Sequence, residues 1–149
     1  MRTSTKIVGA LAPLAVLLSG CVIESPPSPL TTVELVNSTV HDVRPNLYTS
    51  GSATDVAGLL VTANLRSDFT SRPFPELRAG ETATLRLECA DVQSIGVDAP
   101  TVFNATLLAV TTSADRIFLL RGADFECGAT VRFTYSEEGE VFRATVEVR

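Results

Sequence analysis

The chain has 149 residues, of which 45% are hydrophobic and 19% are charged, and it carries a formal net charge of −5. An acidic chain with scattered arginines lacks the basic face that phosphate neutralisation requires, so the composition argues against a nucleic-acid partner. The length fits one domain that buries about two thirds of the surface its unfolded chain would expose.

The first 21 residues have the three-part layout of a secretory signal. Two basic residues within the first six positions precede the apolar segment 7–18, and the small residues Ser19 and Gly20 then lead to Cys21. The apolar segment is too short to remain in a bilayer as a spanning helix. The pattern therefore predicts export from the cytoplasm.

The sequence Leu18-Ser19-Gly20-Cys21 resembles the lipobox of bacterial lipoprotein precursors. The resemblance implies that the thiol of Cys21 receives a diacylglyceryl group, that the signal is cut before Cys21, and that the new amino terminus is acylated. The mature chain would then have 129 residues, 17 acidic and 10 basic, all 10 of them arginine, and a net charge of −7. Because Val22 rather than aspartate follows the cysteine, the resemblance favours the outer membrane of the cell envelope.

The segment after the lipobox is rich in proline and small polar residues. Residues 24–31 read Glu-Ser-Pro-Pro-Ser-Pro-Leu-Thr, a composition typical of an extended spacer. Eight extended residues reach at most about 25 Å, which would keep the rest of the chain close to the membrane. The predicted organisation is a signal peptide at 1–20, a lipidated tether at 21–31 and one β-sandwich domain at 32–149.

Alternating apolar and polar residues dominate the predicted domain. Strands are expected at 32–39, 46–49, 82–89, 102–111, 117–120, 128–136 and 140–148, with a charged turn at Glu137-Glu138-Gly139 joining the last two into a hairpin. Short alternating strands separated by turn residues are typical of an all-β fold. The expected architecture is an antiparallel β-sandwich of immunoglobulin-like or Greek-key type, with about seven to eight strands and room for one short helix.

Three segments of the domain do not alternate. In 52–65 the apolar residues have helical spacing and Ser52 with Asp55 would make a capping box, but part of this segment also fits a buried strand. A second helical turn is expected at 90–94. The segment 66–80 is expected to be a long loop that ends in a turn at 78–81, and a loop of that length is a candidate for function.

Cys89 and Cys127 remain after the lipidated cysteine is set aside. Two thiols in an exported domain predict a disulfide. Cys89 ends one alternating run and Cys127 begins another, so both are expected on the core-facing side of antiparallel neighbours. Closing such a loop should stabilise the fold by about 4 kcal/mol. The chain has no CxxC spacing and one histidine, which disfavours a metal site.

His41, beside Asp42, is the one imidazole of the chain. A hydrolase would need it next to a nucleophile, but no GxSxG motif is present, and a surface histidine before a strand is the preferred interpretation. Glu137, Glu138 and Glu140 could gather calcium, yet their spacing matches no EF-hand loop and a charged hairpin tip explains them better. No catalytic set, metal site or cofactor is predicted.

Aromatic residues offer little for sugar binding, because the chain has two tyrosines and no tryptophan. Tyr135 follows the core-facing phase of its strand, whereas Tyr48 is either exposed or closes one end of the sandwich. Phe69 and Phe74, in the proline-containing loop, either form a contact patch or plug one end of the core, and the plug is preferred.

The sequence thus predicts a non-catalytic, lipid-anchored protein of the bacterial cell envelope, a scaffold or binding module with an unknown ligand. One alternative is a small envelope hydrolase that uses His41 and Asp42. Another is a lipoprotein that inhibits a foreign hydrolase. The predicted partners are the membrane, through the lipid anchor, and an unspecified protein. The number of subunits is left open.

Overall fold

The computed structural model describes residues 29–72, 75–103, 110–111, 116–139 and 141–149. The fold is an all-β sandwich, as the alternation predicts. In the described ranges nine strands form two sheets: β1 Leu30–Asn37, β2 Asp42–Ser50, β3 Leu65–Arg66, β4 Thr82–Glu88, β5 Ser94–Phe103, β6 Val110–Thr111, β7 Ile117–Leu120, β8 Thr130–Glu138 and β9 Val141–Val148.

The first sheet has the strand order β4-β1-β8-β9, and the second has the order β3-β2-β5-β6, with β7 also paired to β5. Neighbouring strands are antiparallel except β1 and β8, which run parallel in the register Val33↔Val131. Because parallel neighbours need a long connection, the chain builds most of the second sheet between β1 and β8.

The core lies between the two sheets and follows the period-2 pattern of the strands. Val33 and Leu35 of β1 and Phe133 of β8 are buried in the first sheet, and they face Leu47 of β2 and Ile95 of β5 in the second. Fully burying a side chain of this size contributes about 1.5–3 kcal/mol, so the alternation that defines the strands also supplies most of the stability.

β2 is longer than the predicted strand at 46–49. It spans Asp42–Ser50, because half-exposed polar residues such as Arg44 alternate with the buried Val43 and Leu47. Its pairing with β5 shifts register between Arg44 and Asn46, where Pro45 stands. A proline that cannot donate to the ladder marks a bulge rather than the end of the strand.

The predicted single strand at 102–111 is wrong, because its two ends belong to different strands; residues 104–109 between them lie outside the described residues. Val102 of β5 pairs antiparallel with Val110 of β6, so the two ends of the predicted strand are neighbours. β5 instead begins at Ser94, and its Gly96 lies so close to β7 that an added Cβ would collide with the carbonyl oxygen of Ile117. Glycine has a low propensity for strands, which explains why the sequence did not predict the first half of β5.

The ambiguous segment 52–65 contains a short α-helix, α1 (Val56–Leu59), and a 3₁₀ turn at Thr62–Asn64. Asp55 rather than Ser52 is the N-cap, since its carboxylate accepts from the backbone N–H of Gly58 at 2.8 Å. Leu59 is fully buried and anchors the helix on the second sheet. The helical turn expected at 90–94 is a 3₁₀ turn at Cys89–Asp91.

The hairpin of β8 and β9 is present, but its turn lies later than predicted. Glu138 pairs with Val141, and Gly139 between them has φ +66°, a conformation typical of a tight hairpin turn. Ala144 faces the core as predicted. Alternation along 140–148 predicts that Phe142, Ala144, Val146 and Val148 face inward, but Val146 and Val148 are 36% and 38% exposed, because β9 is an edge strand in the described sheet.

Candidate functional site

One end of the sandwich, the disulfide end, carries the predicted bridge. Cys89 and Cys127 are joined, with their Cα atoms 5.6 Å apart. Cys89 follows β4 and Cys127 precedes β8, and β1 lies between these two strands. The bridge therefore spans the start of β1, where the hydroxyl of Thr31 lies 3.4 Å from the sulfur of Cys89.

The two cysteines differ in environment, which the alternation did not foresee. Cys89 is buried, whereas Cys127 is exposed in the turn before β8. The Arg121 guanidinium donates to the carbonyl of Cys89 and lies 3.8 Å from the sulfur of Cys127. The disulfide and this arginine together close the end of the sandwich at which β1 begins.

The opposite end, the Asn37 end, is closed by one buried side chain. The amide nitrogen of Asn37 donates to the carbonyls of His41 at 2.8 Å and of Leu77 and Arg78 at 3.0 Å. Its oxygen accepts from both the N–H and the hydroxyl of Thr39. Asn37 thereby joins the β1–β2 connection to the turn before β4, and its amide adds a second donor to carbonyls that also accept from other groups of the chain.

Sequence reasoning missed Asn37, although a signal was present. Asn37 follows Val33 and Leu35 in the core-facing phase of β1 and is 0% exposed. A polar residue in that phase indicates a buried group that needs hydrogen-bond partners. The partners themselves lie up to 41 positions away, so the sequence gives no indication of them.

His41 and Asp42 lie at the Asn37 end but do not act on one another. The His41 imidazole lies 3.7 Å from the carboxylate of Glu137 and packs against Phe142 with ring centroids 6.1 Å apart. The Asp42 carboxylate instead accepts from the N–H of Ala79 in the turn before β4. No hydroxyl among the described residues hydrogen-bonds to the imidazole, so the nucleophile and the orienting carboxylate of a triad are not assembled.

The glutamates of the hairpin tip do not converge on a common point. Glu137 lies beside His41, whereas Glu138 pairs with Arg143 at 3.3 Å. Glu140 lies outside the described residues. Across the described part of the chain, no three histidine, cysteine, aspartate or glutamate residues are grouped as metal ligands.

A groove of about 280 Å³ lies between the long loop and the start of β4. Arg72 and Glu81 form two parallel hydrogen bonds of 2.8 Å across it, and the same arginine donates to the carbonyl of Glu76. The guanidinium and the backbone N–H of Arg78 hold the pKa of the Glu81 carboxyl below its usual value. The other lining residues are Phe69, Thr70, Ser71, Thr82, Ala83 and Thr84.

Phe69 is buried in the core cluster, 6% exposed, which agrees with the preferred interpretation as a plug. Phe74, its proposed partner in a contact patch, lies outside the described residues. Thr70 presents a second feature that the sequence did not reveal, because its buried hydroxyl has no hydrogen-bond partner. The described part of the predicted contact segment therefore borders a groove with a mostly polar lining.

The two tyrosines are buried. The hydroxyl of Tyr48 donates to one carboxylate oxygen of Asp98 at 3.1 Å, and burial raises its pKa, with Asp98 adding to the shift. Tyr135 is fully buried and burial likewise raises its pKa, yet its hydroxyl has no partner. The second carboxylate oxygen of Asp98 is also buried without a partner. Neither tyrosine offers an exposed face on which a sugar ring could stack.

No protein-family model matches the sequence, and no curated protein is similar to it. Two solved structures share part of its architecture. One is the cytotoxin suilysin from Streptococcus suis, with a TM-score of 0.48 and 10% identity over 82% of this chain and 24% of that one. The other, described as "Trapped Toxin", has a TM-score of 0.44 and 13% identity over 82% of this chain and 23% of that one. The chain spans about a quarter of either structure.

Within the described ranges, no helix combines the length and the apolar character that crossing a bilayer would require.

Proposed function

We propose that the chain is a lipid-anchored, non-catalytic protein of the bacterial cell envelope, held at the outer membrane, with its sandwich acting as a scaffold or binding module. The observation that carries the proposal is the lipobox-like sequence ending at Cys21, nine residues before the start of β1 at Leu30. Nine residues span at most about 30 Å, so an anchor at Cys21 would hold the sandwich near the membrane surface.

The chemistry of the anchor accounts for stable attachment. Each buried methylene contributes about 0.8 kcal/mol, and one acyl chain by itself attaches a protein only reversibly. A diacylglyceryl group on the thiol of Cys21 supplies two chains, and acylation of the new amino terminus adds a third. Such an anchor holds the protein permanently, without a spanning helix.

The polar groups at the Asn37 end and in the adjoining groove support a non-catalytic role. The Asp42 carboxylate is engaged by the turn before β4, and the His41 imidazole has Glu137 as its charged neighbour. The Asn37 and Arg72 side chains are saturated by contacts that join chain segments. Groups that are occupied in this way stabilise the fold and leave no free base beside a nucleophile.

A binding role would use the groove beside β4. Hydroxyl groups of Thr70, Ser71, Thr82 and Thr84 border it, and the Arg72–Glu81 pair crosses it. A lining of this kind suits polar groups of a partner rather than an apolar ligand.

Membrane fractionation of a Cys21→Ala variant tests the anchor. The variant should leave the membrane fraction and lose incorporation of a labelled fatty acid, because the acylated thiol is gone. A matched control is the double variant C89A/C127A, which removes the other two cysteines and should stay in the membrane fraction. Retention of Cys21→Ala there, or a mature protein that still carries residues 1–20, would contradict the proposal.

An activity assay separates this proposal from the hydrolase alternative. The purified chain is incubated with chromogenic esters, a casein substrate and aryl glycosides, beside a His41→Ala variant. No turnover above the buffer rate is expected. Turnover that His41→Ala abolishes would establish the hydrolase and remove the non-catalytic role, while leaving the anchor untouched.

A further inference from the structure

Among the described strands, β9 is the last of the first sheet, and none of them is hydrogen-bonded to its outer edge. β8 is the one strand that pairs with β9 among the described residues. Val141, Val146 and Val148 on this edge strand are 52%, 36% and 38% exposed. An eight-residue edge strand that carries exposed apolar side chains is a template on which a further strand can pair.

The backbone of β9 shows which residues offer free hydrogen-bonding groups. Arg149, which follows β9, exchanges two hydrogen bonds of 3.0 Å with Thr130, the first residue of β8. Hydrogen-bonded pairs alternate along an antiparallel ladder, so every second residue before Arg149 also faces β8. The intervening residues turn their N–H and C=O groups to the open edge: Phe142, Ala144, Val146 and Val148.

We propose that two copies of the chain pair antiparallel through this edge, with Thr145 of one copy opposite Thr145 of the other. A two-fold axis perpendicular to the sheet then passes between the two threonines. In this register Arg143 of each copy lies opposite Glu147 of the second copy. Both are non-hydrogen-bonded positions, where facing Cα atoms approach to about 4.5 Å and opposite charges attract most closely.

The inner face of the strand is also self-complementary in this register. Phe142 lies opposite Val148 of the second copy, and Ala144 lies opposite Val146. The backbone N–H and C=O groups of these four residues face the outer edge of β9. Each residue of one copy pairs with one of the other, and the resulting four pairs exchange about eight hydrogen bonds. Pairing would cover the exposed Val146 and Val148 and join two four-stranded sheets into one.

The charges select this register over its neighbours. A shift of two residues one way places Arg143 opposite Thr145 and Glu147 opposite Val141, so neither charge meets its opposite. The same shift the other way places Arg143 opposite Arg149, which is repulsive. The intrachain pairs of Arg143 with Glu138 and of Glu147 with Arg149 are exposed and contribute little, so they exchange easily for the pairs across the interface.

The opposite edge of the same sheet does not compete. β4 is bordered by the loop that contains Phe69 and Arg72, and the groove between them occupies the start of that strand.

The antiparallel pairing of β9 places the two amino termini at opposite ends of a strand of about 27 Å. A nine-residue tether of at most about 30 Å lets both proposed anchors reach one membrane when the strands lie along its surface.

A cysteine at the two-fold axis tests the pairing in the intact cell. The full chain carrying Thr145→Cys should form a disulfide-linked dimer on a non-reducing gel, because facing Cβ atoms at this position lie about 5 Å apart. The matched control is Thr84→Cys, an exposed threonine on the other edge strand of the same sheet, which should remain monomeric. A monomeric Thr145→Cys chain, or equal cross-linking of both variants, would overturn the proposal.

Two further variants test the register. Arg143→Cys alone should not cross-link, because its two copies lie about 14 Å apart, whereas co-expression of the Arg143→Cys and Glu147→Cys chains should give a mixed dimer. A charge reversal, Arg143→Glu, should weaken dimerisation about tenfold in sedimentation experiments, and R143E/E147R should restore it. Cross-linking of Arg143→Cys with itself, or no rescue by the double variant, would contradict this register.

Discussion

The two ends of the sandwich are closed by different means. The disulfide end is held by the covalent link between Cys89 and Cys127, which spans the start of β1. The Asn37 end is held by one buried amide that serves three carbonyls from two separate chain segments. The disulfide acts mainly on the unfolded chain, whose conformational freedom it reduces, whereas Asn37 acts on the folded chain by satisfying buried groups.

The two ends also differ in how far the sequence predicts them. Two cysteines in an exported chain are a visible pair, and no geometry is needed to expect their bond. A single asparagine has no partner that can be read from composition or spacing, because backbone carbonyls are present at every position. The end held by hydrogen bonds is therefore the end whose construction only the structure reveals.

Removal of the disulfide is expected to have the largest effect on stability. The double variant C89A/C127A frees a loop between positions 38 residues apart and should lower the free energy of unfolding by about 4 kcal/mol. Urea denaturation followed by circular dichroism measures the change. Treatment of the wild-type protein with a reducing agent should produce a similar loss, and a double variant as stable as the wild type would show that the bridge carries no stability.

Replacement of Asn37 should cost somewhat less. Asn37→Ala removes the hydrogen bonds from the amide to the carbonyls of His41, Leu77 and Arg78, and at about 1 kcal/mol each this should cost about 3 kcal/mol in the same urea experiment. Asn37→Asp keeps the size of the side chain but replaces the amide donor with a carboxylate oxygen, which cannot donate to the carbonyls. This variant should therefore also be less stable than the wild type at neutral pH. Ser38→Ala, at the exposed neighbouring position, is the control and should leave stability unchanged within error.

The acid sensitivity of the two ends should also differ. Hydrogen bonds from Arg72 and from the N–H of Arg78 lower the pKa of Glu81 at the Asn37 end. A carboxyl with a lowered pKa stabilises the fold above the pKa of the unfolded chain, and this contribution is lost as the pH falls through its folded-state pKa.

Glu81→Gln should therefore be less stable than the wild type at pH 7, by less than either change above, and the difference should shrink towards pH 3. Thermal unfolding across this pH range measures it, with Glu88→Gln, at the exposed last position of β4, as the control. A stability difference that stayed constant from pH 7 to pH 3 would contradict the assignment.

The smallest effect is expected at Tyr135, which lies in register with Asn37 on the neighbouring strand. Its buried hydroxyl has no hydrogen-bond partner, so Tyr135→Phe removes an unsatisfied polar group without opening a large cavity. The variant should be as stable as the wild type or more stable by up to about 1 kcal/mol. Tyr48→Phe, which loses the hydrogen bond to Asp98, should instead be slightly less stable than the wild type. A Tyr135→Phe variant that is less stable than Tyr48→Phe would contradict this prediction.

The sequence predicted most where local pattern and tertiary environment agree. β1, β4 and β8 alternate cleanly, and their inward residues Val33, Leu87 and Phe133 are buried as expected. The pattern was weakest in the second sheet. β2 contains Pro45 at a bulge and β5 contains Gly96 under β7, and both residues argue locally against a strand while the sheet accommodates them.

The same limit applies to the candidate sites. His41 and Asp42 are adjacent in sequence, yet one lies beside Glu137 and the other contacts the turn before β4. The two residues diverge because His41 lies in the bend before β2, whereas Asp42 is the first residue of β2. The pairing of Arg72 with Glu81 was not predicted from the sequence. A surface ion pair of this kind depends on the course of a loop, which amino-acid composition does not specify.

The sequence by itself determined the all-β class, the pairing of Cys89 with Cys127 and the burial phase of the long strands, because alternation and cysteine count are local properties of the chain. The tertiary structure alone decided that β1 and β8 are parallel neighbours, that Asn37 closes one end and that β9 pairs with β8 alone among the described strands. These features depend on which distant segments meet, and that is set by the packing of the two sheets as a whole.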